Sequence, residues 1–122
     1  EDRVEVLTGD YTTDPIGNDY DLILAVGTLN FAKHALDKTI EKIHAALNDK
    51  GVFLCISEGL THEKTRPKEM SVGWLPYFLS GSDFSLEQGE ISDCALRNGF
   101  RSVYKKTMPL IMGEMDVDVI RK

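Results

Sequence analysis

Two short apolar runs with one amphipathic stretch between them constrain this chain more than anything else in it. Asp21-Leu22-Ile23-Leu24-Ala25-Val26 and Val52-Phe53-Leu54-Cys55-Ile56 are continuous rather than alternating. Runs of that kind suit strands covered on both faces, as in a parallel sheet. Between them Leu36, Ile40, Ile43 and Leu47 recur at four, three and four residues, which makes one helical face. Lys50-Gly51 is expected to end that helix and turn the chain into the second strand.

The flanks extend the alternation. Val4-Glu5-Val6-Leu7 is a short β-type run that ends at Thr8-Gly9-Asp10, and Asp14-Pro15 and Gly17-Asn18 mark a loop after it. Ser85 with Gln88 three residues on has the capping-box pattern for a helix that closes at Asn98-Gly99. Ser102 to Met108 and Glu114 to Ile120 alternate, and are joined around Pro109 and Gly113. They read as an antiparallel pair, with Lys105 and Lys106 set to face Asp116 and Asp118. Residues 59–82 begin polar and end aromatic. So long a connection suits a lid or binding segment. The order β, β, α, β, long segment, α, β, β predicts an open α/β sheet with a terminal hairpin.

Composition excludes more than it assigns. With 122 residues there is room for one domain. A formal charge of −6 leaves no basic stripe for a nucleic-acid backbone, so no such partner is expected. No apolar run approaches 18 residues, so no membrane span is expected. Glu1-Asp2-Arg3-Val4 reads as neither a signal nor a transit peptide. Cys55 and Cys94 lack metal-type or redox-type spacing and read as free buried thiols, which fits a cytoplasmic protein. His34, His44 and His62 share no ligand spacing, and no metal site is expected.

Several of these residues carry a family resemblance. Asp21-Leu22-Ile23-Leu24, Leu29-Asn30-Phe31, the helix to Ala46-Leu47, and Lys50-Gly51 before Val52-Phe53-Leu54 resemble the second half of class I methyltransferases. The small-molecule O-methyltransferases are the nearest group. Ser57-Glu58, Ser85, Asn98-Gly99-Phe100 and the closing Val117-Asp118-Val119-Ile120-Arg121-Lys122 extend the likeness over nearly the whole chain. The resemblance implies an open, mostly parallel, Rossmann-like sheet with a C-terminal antiparallel hairpin. It also implies S-adenosylmethionine as cofactor and a small-molecule acceptor. The family's first strands and glycine-rich loop have no counterpart here. Residues 1–122 therefore read as a single partial domain, either a piece of a longer enzyme or a short relative without the front half.

Site residues follow from the resemblance position by position. Gly9, Asp10 and Tyr11 match the turn whose acidic residue accepts a hydrogen bond from the adenine amino group; the alternative is a plain Gly-Asp turn. Asn30 stands where many relatives carry a histidine base. Imidazole titrates near neutrality and an amide does not, so transfer would lean on proximity and orientation. His34 lies four residues on and reads as surface or cap. Glu58 and Asp83 match carboxylates that orient the catalytic group, with helix-entry charge as the alternative for Asp83. Met70, Trp74, Tyr77 and Phe78 would line an acceptor pocket or form a short amphipathic helix. Methyl transfer to a small-molecule hydroxyl is the leading reading, and a non-catalytic binding or dimerising module is the other. A sheet edge at Val4–Leu7 or Asp21–Val26 would invite pairing between two copies.

Overall fold

The computed structural model describes residues 3–57, 75–76, 79–81, 86, 89–110 and 113–122. In chain order these form β1 (Tyr20–Val26), a 3-10 segment (Leu29–Ala35), α1 (Leu36–Ala46), β2 (Leu47–Ser57), α2 (Glu90–Arg97), β3 (Ser102–Leu110) and β4 (Gly113–Arg121). The strands make one sheet in the order β1-β2-β4-β3. β1 runs parallel to β2, while β4 pairs antiparallel with both β2 and β3. The expected mixed α/β sheet and C-terminal hairpin are present. Among the described strands, parallel pairing is confined to β1 and β2.

The helical spacing acts as its period requires. Ile40, Ile43 and Leu47 are buried in the core with Phe53, Cys55, Ile91, Cys94, Ala95 and Ile120. Phe53 and Ile120 are register partners in the middle of the sheet, and both are fully buried. Phe100 closes this core, with its ring edge-on to His44 at 4.8 Å and tilted against Phe53 at 6.3 Å. It is placed there by the end of α2, where Gly99 takes φ +96°. The Phe100 amide donates to Ala95 O (3.2 Å) and the Gly99 amide to Leu96 O (3.4 Å), the paired bonds of a Schellman ending.

Three expectations are corrected. Val4–Leu7 is not a strand: among the described residues no strand pairs with it, and Val4, Val6 and Leu7 are 66, 87 and 72% exposed. A run of four residues does not hold a strand without a partner. The first helix ends at Ala46 rather than at Lys50-Gly51, because Leu47 is already extended (φ −83°, ψ 146°) and begins β2. Tyr20 pairs with Leu47 but Leu22 with Val52, so Asn48–Gly51 bulge out of the ladder. Gly51 serves that bulge, since a Cβ there would sit 2.9 Å from Asn48 O. Finally, α2 opens at Glu90 with Gly89 in the cap position (φ 93°), not at Ser85. Ser85 and Gln88 themselves lie outside the described residues.

The hairpin's charges meet as expected on one side only. Lys105 Nζ lies 3.5 Å from Asp116 Oδ2 and 3.3 Å from Asp118 Oδ1, while Lys106 pairs with Val117 in register and occupies the other face. Thr107 Oγ1 donates to Asp116 Oδ1 at 2.9 Å.

Candidate functional site at the carboxyl edge of the sheet

Parallel pairing puts the carboxyl ends of β1 and β2 side by side, the place where open α/β sheets bind ligands. Gly27 leaves β1 with φ +61° and donates to Ile56 O at 3.0 Å, tying the two ends together. A Cβ at Gly27 would meet nothing within 4 Å, so the backbone here borders open space.

Gly9-Asp10-Tyr11 is brought to this edge by a compact turn. The amides of Thr13 and Asp14 donate to Asp10 O (3.1 and 2.7 Å). Asp10 Oδ1 accepts from Thr12 N (2.9 Å) and Thr12 Oγ1 (2.6 Å), and Asp10 N donates to Asp14 Oδ2 (2.9 Å). A Cβ at Gly9 would lie 2.9 Å from that Asp14 oxygen, so a larger residue there would displace the Asp14 carboxylate. The turn is then clamped to the fold. Tyr11's hydroxyl donates to Thr28 O, and Lys42 Nζ on α1 donates to both Tyr11 O and Asp14 O at 2.7 Å.

Electrostatics follow from these bonds. Hydrogen bonds from the Thr12 hydroxyl and then its amide hold the Asp10 carboxyl below its ordinary range, with Lys42 and His34 adding attraction, so it is a carboxylate at neutral pH. Burial, with Asp10 nearby, pushes the Tyr11 phenol up and keeps it a neutral donor. A cavity of about 240 Å³ lies at the turn, lined by Gly9, Asp10 and Tyr11 with Leu7 and Ile16. A larger one of about 380 Å³ runs along β1, the edge strand among those described, between Tyr11, Thr28, Ile43 and the strand itself. Tyr11 borders both.

Among the other sequence-derived candidates, Asn30 sits in the 3-10 segment just past Thr28 and is buried with Leu29 and Ala32. His34 is exposed on the same segment. Glu58, Met70, Trp74, Tyr77, Phe78 and Asp83 lie outside the described residues. Thr28 and Lys42 were missed by sequence reasoning. Lys42 contacts the turn from about thirty residues away, and no local pattern announces such a contact. No group of three or more His, Cys, Asp or Glu among the described residues could hold a metal ion. Nor is any described helix long and apolar enough to cross a membrane.

No family model and no curated protein matches the chain. Solved structures do. Human N-acetylserotonin methyltransferase, solved in complex with SAM, is 20% identical at a TM-score of 0.73, over 100% of this chain and 34% of that one. An O-methyltransferase family protein from Burkholderia thailandensis is 13% identical at 0.77, over 99% and 36%. PigF, solved with SAH, is 24% identical at 0.76, again over 99% and 36%. The chain thus spans about a third of the length of these three structures. It shares the α/β fold of the matched part of these methyltransferase structures.

Proposed function

We propose that this chain is the adenine-side portion of a methyltransferase that uses S-adenosylmethionine, working within a larger enzyme on a small-molecule acceptor whose hydroxyl receives the methyl group. The observation that carries the reading is the Gly9–Tyr11 turn, clamped by Lys42 and Thr28 at the carboxyl edge of a methyltransferase-type sheet. The residues present suit the adenine end of the cofactor. Asp10 is an exposed carboxylate, and only its Oδ1 is engaged by Thr12. Oδ2 is the atom to accept from the adenine amino group, and the fixed Tyr11 ring supplies an apolar flank. When bound, the cofactor supplies an electrophilic methyl on a sulfonium. These residues supply binding and orientation. In this reading Glu58 and Asp83 position the acceptor hydroxyl, and Met70, Trp74, Tyr77 and Phe78 form its pocket.

A second reading, a non-catalytic methyltransferase-like binding module, is favoured by Asn30. A buried amide stands where the resembled enzymes carry a base, and it takes no proton at neutral pH.

The test is saturation-transfer NMR with S-adenosylhomocysteine at millimolar concentration. We expect transfer to the adenine protons to exceed transfer to the homocysteine chain, with free adenosine competing. Asp10→Ala should weaken binding measurably, through the loss of one charged hydrogen-bond partner. Absence of transfer, or an affinity that Asp10→Ala leaves unchanged, contradicts the reading. A methyl group passed from labelled cofactor to any hydroxyl acceptor would separate the first reading from the second.

A further inference from the structure

The turn that holds Asp10 is bonded to the fold at two places, and Tyr11 supplies a group to each. Its hydroxyl donates to Thr28 O, and its carbonyl accepts from Lys42 Nζ at 2.7 Å. Between Thr28 and Lys42 lie the 3-10 segment, Leu29–Ala35, and the first turns of α1. The segment is a discrete rod. Gly27 comes before it with φ +61°, and Ala35 ends it with φ −136°. Seven residues is long for a 3-10 helix, whose hydrogen bonds are poorly aligned and whose runs rarely exceed three or four. Leu29 and Ala32, three apart and so on one face, are buried and hold one side of it to the core. Its start has less support. Thr28 makes no side-chain cap bond, and the opening turn closes from Phe31 N to Thr28 O at 3.2 Å. Thr28 O thus receives both the amide that opens the segment and the Tyr11 hydroxyl, one for each lone pair.

We propose that Tyr11 is a positioning residue that passes occupancy of the adenine-side turn on to the 3-10 segment carrying Asn30. The proposal rests on the cofactor reading given above. Tyr11 is half-buried, so part of its ring is open to a ligand. An adenine ring lying against it and bonded to Asp10 restricts the side chain, and the hydroxyl is then held on Thr28 O. The Thr28 carbonyl, once oriented, fixes the opening turn of the segment. Conformational entropy is lost once and serves both places, which couples two sites without a change of shape. Lys42 grips only the turn's carbonyls, so the route to Thr28 runs through the Tyr11 hydroxyl. Asn30, buried two residues past Thr28, is on the acceptor side in that reading. A loaded cofactor therefore fixes the acceptor's surroundings as well.

Amide exchange followed by NMR on the full chain tests this, with S-adenosylhomocysteine as the probe. In wild type, saturating probe should shift the Gly9–Thr12 resonances and slow exchange of the Phe31 amide several-fold. Tyr11→Phe keeps the ring and the Lys42 bond and removes only the hydroxyl. There the probe should still shift Gly9–Thr12, while Phe31 exchange, faster at the outset, no longer responds. A hydroxyl with a merely structural role would speed Phe31 exchange by the same factor with and without the probe. That result overturns the proposal and leaves the cofactor reading standing. So does a wild-type Phe31 amide that ignores a probe which shifts Gly9–Thr12. Absence of any shift at Gly9–Thr12 in wild type removes the cofactor reading, and the proposal falls with it.

Discussion

Asp118 and Asp37 show how one residue type takes opposite roles in the same molecule. Asp118 is buried, and desolvation raises its carboxyl pKa. Lys105, at 3.3 Å, is farther than the 2.7–2.9 Å of a strong charged hydrogen bond and offsets this only in part. A carboxyl whose folded pKa is raised holds its proton more tightly folded than unfolded, so stability falls as pH climbs through the carboxylate range. Asp118→Asn should therefore melt higher than wild type at pH 7, and the difference should close as the pH drops below the ordinary value of 3.8. Asp37 is exposed and its pKa is lowered by hydrogen bonds from Cys94, Asn98 and Arg97. Its contribution is present at neutral pH and is lost as pH falls through its folded value. Burial first, and then Asp37, push the Cys94 thiol up to about 12. Neither Cys94 nor Cys55 should react with an alkylating agent at pH 8 in the native protein, and mass spectrometry should find both modified only after unfolding.

At the scale of elements, what the sequence disclosed and what it hid divide by range. The α1 face was legible because Leu36, Ile40 and Ile43 share a helical period, and the α2 ending because Asn98-Gly99 is a local signal. Gly99 takes the left-handed conformation the ending requires, so Gly99→Ala should cost about 1 kcal/mol and lower Tm by roughly 4 °C. Phe53→Ala, at a fully buried β2 position, should cost about 3–5 kcal/mol in chemical denaturation. Val4–Leu7 misled for the opposite reason. Its residues favour a strand, but a strand also needs a neighbour, and that condition is not written in the segment itself. Asn48–Gly51 misled because a bulge and a helix ending use the same glycine signal.

For the whole molecule, the sequence and its resemblance disclosed the α/β class and the terminal hairpin, but not the order β1-β2-β4-β3 in the sheet or the clamp on the Gly9–Tyr11 turn. Lys42 and Thr28 act on the turn through contacts of long sequence separation, which appear only once β1 and α1 are packed. Lys42→Met should loosen the turn without unfolding the core, and faster amide exchange at Thr13 and Asp14 should report it. The central claim is that the carboxyl edge, and not the cavity along β1, receives the adenine end of the cofactor. A ¹⁵N–¹H correlation titration with S-adenosylhomocysteine decides it. The account predicts shifts concentrated at Gly9–Thr12 and Gly27–Leu29. Shifts confined to Tyr20–Ala25 and Ile43, or none at saturating ligand, would contradict it.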